Sequence, residues 1–231
     1  MTWMMTRSGT AFDLLSPTAD RIDFREICDA LGQINRFTGH CRCPVSVALH
    51  SLTVARLVAA KAHERTVVAF ERKHRRKPSL PATLDGHAVA WALLHDAKEA
   101  FIGDISTPMK GALAEAAAAR AGEAAADLVR DALHALEGNI DAALLAASGL
   151  RWRSPNYPDA AARADVKEAD LIALMMERRD FMARTRRPWG ADLEALKLPR
   201  EPLVWMSGPE AAEELYRLLC IHLPALWPRR R

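Results

Sequence analysis

Apolar residues recur at helical spacing through most of the chain. Ile27, Ala30, Leu31 and Ile34 fall on one face and predict a short helix over 25–36. Pro44 suits the first turn of the next helix, predicted from about Val45 to Phe70. A third helix, from about His87 to Phe101, is apolar along most of its length and stops at Gly103. Ser106-Thr107-Pro108 opens a further element, and an Ala-rich stretch carries it to about Leu136. Another helix is predicted over about 160–184. The last is capped by Ser207, carries Pro209 in its first turn, and has Leu215, Leu218, Leu219 and Ile221 as its apolar content. Residues 8–24 mix turn formers with short apolar groups and predict an extended N-terminal arm or small hairpin. Phe37–Pro44, 71–86, 151–159 and 188–202 read as loops or linkers. Beyond the arm there is no strand set with period-2 alternation, so the predicted fold class is all-α. The expected organisation is one domain over 1–187, with a linker and C-terminal helix, 188–231, packed on it.

Composition narrows the function classes. Half of the 231 residues are hydrophobic, enough for a proper core. A net charge of +3 is too small to imply a nucleic-acid partner by itself. No apolar run approaches a bilayer span, and Met1–Arg7 lacks the apolar centre of a signal peptide, so a cytoplasmic protein without a membrane partner is expected. The 4 Cys make no disulfide scaffold, and Cys41 and Cys43 form a C-x-C pair with no second pair to complete a zinc site. The basic run within 71–77 and the Arg-rich end after Trp227 read as solvated segments, with a phosphate or nucleic-acid patch as the alternative. There is no P-loop and no G-x-S-x-G, which disfavours ATP-driven work and serine hydrolysis.

The candidate chemistry lies where polar residues interrupt apolar faces. His95-Asp96 sits in AVAWALLHDAKEA, where a core pattern calls for Leu or Ala. On a continuous helix Glu99 would follow at four and three residues, so all three could point at one spot. A carboxylate buried against such neighbours is costly unless a cation pairs with it. His50 shares a face with Val47, Val54 and Leu57, and Asp170 with Val166, Ala173 and Leu174. Each alone has an ordinary reading: a hydrogen-bonded core histidine, a paired aspartate. Together, two imidazoles and two carboxylates from three helices offer mixed N/O ligation to a divalent metal, Co, Mn, Zn, Fe, Ni or Mg, with positions left for water and substrate. His40 could contact a phosphate or base, and His87 could serve a second metal. His63, His74, His134 and His222 read as surface residues.

His50, then His95-Asp96, then Asp170 resembles the H…HD…D signature of the HD-domain metal-dependent phosphohydrolases. QINRF (33–37), LHSL around His50, HDAKEAFIGDISTPMK (95–110) and VKEAD (166–170) are similar to the YfbR-like 5′-deoxynucleotidase branch. FDLLSP and RFTGH (36–40) are closer to a group that includes a phage-type dATP triphosphohydrolase. The resemblance covers about residues 8–180 and implies an HD-type helical bundle. It implies His50, His95, Asp96 and Asp170 as metal ligands, Glu99 as the acid beside the metal-bound water or leaving oxygen, and Asp104 as a residue that aligns the water or contacts the sugar. Arg36 would hold a phosphate, Phe37 would pack on sugar or base where Trp is common, and Thr107 and Lys110 would be further phosphate contacts. Leu49 stands where a polar residue often supports the ligand His. The implied reaction is release of phosphate from dNMPs. Release of triphosphate from dNTPs, for which Arg42, Arg36 and Lys110 could supply cationic reach, is the alternative, with alarmone hydrolysis a more distant one. A homodimer is compatible with the resemblance. Outside that class stands a non-catalytic helical module that binds nucleotide or nucleic acid.

Overall fold

Asp23 starts the first helix, α1 (Phe24–Gln33), by accepting hydrogen bonds from the Arg25 and Glu26 backbone N–H groups. These are among the donors that a first turn leaves without partners. In the computed structural model, which describes residues 1–75, 86–152 and 156–227, α1 buries Phe24, Ile27, Cys28 and Leu31. It stops at Ile34, and a 3₁₀ turn over Arg36–Gly39 follows. Phe37 and Thr38 hold φ of 55° and 53° there, the left-handed region that side chains seldom adopt. The loop is closed by the Asn35–Ser46 bridge and by Val47 N–H donating to the Ile34 carbonyl.

The long helix α2 (Val47–His74) is the axis of the core. Its first half is buried from Val47 to Ala55, while its second half is mostly exposed. It runs on through Glu71–His74, residues assigned above to a loop. The remainder of that basic loop lies outside the described residues, as do the side chain of His87 and the Arg-rich end. Helix α3 (Gly86–Leu94) is buried on nearly all sides, which accounts for its unbroken apolar sequence. One turn of helix, α4 (Glu99–Ile102), follows. The Ala-rich stretch forms two helices rather than one, α5 (Thr107–Ala121) and α6 (Glu123–Ser148). They part at Gly122, whose φ of 84° no other residue adopts cheaply. Asp159 caps α7 (Ala160–Phe181), and a single turn, α8 (Ala191–Glu194), interrupts the segment read as linker. Ser207 and Glu210 form a reciprocal capping box at the start of α9 (Gly208–His222).

Around α2 pack α1, α3, α7 and α9, and α5 packs on α6. The N-terminus of α9 meets the C-terminal end of α1 almost backbone to backbone. A Cβ on Gly32 would lie 2.6 Å from the Gly208 carbonyl oxygen, and one on Gly208 would lie 2.0 Å from that of Gly32. The N-terminal arm is a hairpin of β1 (Trp3–Met5) and β2 (Ala11–Asp13), antiparallel, with Met4 opposite Phe12. It begins before the predicted segment, and the rest of that segment holds a 3₁₀ turn at Ala19–Arg21. Phe12 is fully buried and stacks on Phe101 of α4, with ring centroids 3.8 Å apart and planes 8° from parallel. Apart from this ribbon the fold is all-α. Among the described residues no helix is long and apolar enough to cross a membrane.

Candidate metal centre

The predicted helix from His87 to Phe101 is broken where the chemistry lies, which corrects the expectation of one helical face for His95, Asp96 and Glu99. α3 ends at Leu94. Ala97 N–H turns back to the Leu94 carbonyl at 2.9 Å, and Glu99 N–H to that of Asp96 at 2.9 Å. These i to i+3 bonds tighten the chain into turns. Side chains take over nearby carbonyls: His95 Nδ1 donates to Ala92 O of α3 at 2.8 Å, and Lys98 Nζ to His95 O at 2.5 Å. Local hydrogen bonds of this kind compete with the helical ladder.

The His95 bond defines its ring. A carbonyl oxygen can only accept, so Nδ1 carries the hydrogen and the neutral ring presents a lone pair at Nε2. That Nε2 is buried and has no hydrogen-bond partner, although Asp96 Oδ2 lies 3.1 Å away. A neutral ring would turn a lone pair on that carboxylate, which is repulsive; a proton on Nε2, or a metal cation shared by both atoms, makes the contact attractive. From α2, the fully buried His50 brings its Nε2 to 3.6 Å from the same Asp96 oxygen, with the two imidazole centroids 5.4 Å apart. Ligand atoms of His50, His95 and Asp96 lie within 4.8 Å of one another and could hold a metal ion. Two imidazole nitrogens and one carboxylate oxygen fit a divalent ion of the Zn, Co, Mn, Fe or Ni type, with open positions beyond the protein ligands.

Asp170, on α7, is brought to the edge of this group. Its Oδ1 lies 3.2 Å from His50 Nε2 and its Oδ2 accepts from Lys167 Nζ at 3.2 Å, but it falls outside the mutual set of three. Charges follow the geometry. Burial opposes ionisation of Asp96 and Asp170, yet His95 and His50 hold Asp96, and His50 holds Asp170, well below the usual carboxylate range. Burial and Arg36 lower the His50 pKa, but Glu177 and Asp170 outweigh them and raise it to about 9. Without a metal, a proton is the cation these carboxylates draw in.

Glu99 Oε2 is buried without a hydrogen-bond partner. Burial, with Asp96 and Asp104 near it, pushes its carboxyl up to about 9, which makes it a group that holds a proton. Asp104 is also raised, first by burial, and it lies close to Arg36 and the Phe37 backbone N–H. Arg36 is buried, with Nε donating to Glu177 Oε2 at 2.9 Å and Nη1 3.9 Å from Asp96 Oδ2. Phe37 lies beneath the Arg36 guanidinium, 5.4 Å from the ring centroid, and packs at 6.1 Å on Trp189. The remaining candidates do not join the cluster. His40 is exposed at the end of its 3₁₀ turn, Thr107 is exposed at the start of α5, and Lys110 is held by Glu137 at 2.5 Å.

Several residues of the site were not anticipated. Glu177 is fully buried and meets both Arg36 and His50 Nδ1, the latter at 2.8 Å. It follows Asp170 by two helical turns, so a charged residue inside LIALMMER was the available signal. Lys98 lies 3.9 Å from both Asp96 and Asp141. Asp141 comes from α6, and Trp189 from the segment before α8; nothing in their local sequence points at the site.

No protein-family model matches the chain. It is 28% identical over 180 residues to an uncharacterized protein of Rhodobacter capsulatus, a match covering 76% of this chain and 70% of that protein. It is 29% identical over 181 residues to the uncharacterized protein YfdR of Escherichia coli, covering 78% of this chain and 73% of that one. Both likenesses extend over most of each chain, and neither name carries an activity, so the functional reading stands on the arrangement of His50, His95 and Asp96.

Proposed function

We propose that the protein is a cytoplasmic, divalent-metal-dependent phosphohydrolase that releases phosphate from deoxyribonucleoside 5′-monophosphates. The observation that carries this reading is the bare, buried Nε2 of His95 converging with His50 Nε2 on one oxygen of Asp96. His50, His95 and Asp96, with Asp170 beside them, would hold the metal. When bound, such an ion lowers the pKa of its water and polarises a phosphoryl oxygen.

The chain's own residues supply positioning and charge, which phosphoryl transfer needs more than covalent catalysis. Arg36 spends only its Nε on Glu177, and its Nη groups make no hydrogen bond among the described residues, so they are left to clamp an anion beside Asp96. Glu99, carrying its proton, would protonate the leaving sugar oxygen. Asp104, half-buried beside Arg36 and raised by burial, would meet a sugar hydroxyl or water. Phe37 and Trp189 offer an aromatic wall for sugar or base.

Two further observations favour a monophosphate over a triphosphate. Lys110 is engaged by Glu137, and Arg42 Nη2 donates to the Met182 carbonyl at 2.5 Å. Two of the three cations that would reach along a longer phosphate chain are thus partly engaged by the protein. The test is a panel of dNMPs, dNTPs and NMPs assayed with added Co, Mn, Zn or Mg. Phosphate release from dNMPs, abolished by chelator and by Asp96→Asn, is the expected result. Triphosphate as the product would move the assignment to the dNTP reaction, and no turnover with any metal would overturn it.

A further inference from the structure

Glu177 is the most deeply buried acid of the site, and both of its oxygens are used. Oε2 accepts from Arg36 Nε at 2.9 Å and Oε1 meets His50 Nδ1 at 2.8 Å. Its side chain is 1% exposed, so no water competes for either oxygen. The Arg36 guanidinium, which does not lose its proton, bonds one oxygen and pairs with an ionised carboxylate. An ionised carboxylate can only accept, so the hydrogen of His50 must sit on Nδ1. The Nε2 of that ring is then free of hydrogen when neutral, and it is the atom that faces Asp96 and Asp170.

We propose that Glu177 is a positioning residue that sets the tautomer of His50 with one oxygen and the orientation of Arg36 with the other, so that one buried carboxylate aligns both the metal centre and the anion clamp. The inference rests on reading His50, His95 and Asp96 as a metal centre, and it adds a dependence that their positions alone do not contain. It also answers the place of Leu49: the support for His50 comes from α7, two turns beyond Asp170, and not from the residue before it.

The carboxylate cannot be replaced by its own isostere. In Glu177→Gln one end of the amide accepts and the other donates. Arg36 Nε–H can only donate, and its charge makes it the stronger claimant for the amide oxygen. The NH₂ group then faces His50 Nδ1 and forces that nitrogen to accept. The ring hydrogen moves to Nε2, where it blocks ligation. Glu177→Asp shortens the side chain but keeps two acceptors, so it keeps the ligating tautomer.

The test is Co(II) titration of metal-free wild type, Glu177→Gln and Glu177→Asp, followed by the visible absorption of the bound ion, with thermal unfolding of each apoprotein alongside. Outer partners of metal ligands are worth about 10- to 100-fold in metal affinity. Glu177→Gln is expected to lose on that order, and Glu177→Asp to lose less despite the larger change of shape. A packing role would give the reverse order, and that order, or unchanged affinity in Glu177→Gln, overturns the proposal. Nitrogen-15 NMR of the Zn(II)-loaded wild type tests it without any variant: a protonated Nδ1 and a metal-bound Nε2 on His50 support it, and the opposite assignment overturns it. Failure of the wild type to bind Co(II) or Zn(II) removes the metal centre itself. Normal wild-type binding with no effect at position 177 removes only the role of Glu177.

Discussion

Phe12 couples the N-terminal hairpin to the turn of helix that carries Glu99, and Phe12→Ala tests that coupling. The ring is fully buried and lies flat on Phe101 at 3.8 Å, two residues after Glu99. Truncating a buried Phe costs about 3–5 kcal/mol, the spread reflecting how far the surroundings collapse. Here the surroundings can give: each strand is only 3 residues long, and Met4 and Phe101 line a neighbouring cavity of about 460 Å³. The low end, about 3 kcal/mol, is therefore expected. In a chain of this size each kcal/mol moves the midpoint by about 2–4 °C, which gives a fall of about 6–12 °C. Phe12→Leu keeps most of the apolar volume but loses the stack, and should cost about 1 kcal/mol. The assay is thermal and urea unfolding of the wild type and both variants, with the metal-dependent activity measured well below each midpoint. A loss under 1 kcal/mol for Phe12→Ala, or equal losses for the two variants, would refute the reasoning that the stacked ring is what holds the hairpin to α4.

Asp141→Asn should stabilise the protein at pH 8 by about 1–3 kcal/mol and have no such effect at pH 3.5. Burial, with Asp96 and Glu137 nearby, raises the Asp141 carboxyl to about 6 against an unfolded value of 3.8, and its Oδ1 has no hydrogen-bond partner. The cost of ionising it in the fold is absent below the unfolded value, grows as pH rises to about 6, and stays constant above; urea midpoints across that range read it directly. Gly208→Ala would place a Cβ 2.0 Å from the Gly32 carbonyl oxygen, so α9 must part from α1, and the variant should lose more than about 3 kcal/mol or fail to accumulate in soluble form. Glu99→Gln, which resembles the protonated acid, should stabilise the protein at pH 7 by about 1–3 kcal/mol, because wild type must take up a proton at Glu99 to fold there, while lowering kcat by about 10²–10⁴-fold. Lys110→Ala should change KM for a dNMP by less than about threefold, because that ammonium is engaged by Glu137, and KM is read from initial rates.

The helices were legible because their causes are local. Apolar spacing marked α2, α7 and α9, Ser207 with Pro209 marked a start, and Gly103 marked a stop. The candidate ligands were legible for the same reason: His50, His95, Asp96 and Asp170 are polar residues on faces that should be apolar. Local pattern could not reveal where a side chain outcompetes the backbone. In the turn after Leu94, His95 Nδ1 takes the Ala92 carbonyl of α3 and Lys98 Nζ that of His95, and no periodicity records that competition. Nor could it show that Arg36 and His50 share Glu177 across 141 and 127 residues of chain, or that Lys98 and Asp141 meet from different helices. What the order of residues determined by itself was an all-α chain with ionisable groups set into apolar faces. Which of those groups converge, which tautomer each imidazole holds and which charges are already paired depend on distances between elements, and only the packed core sets those.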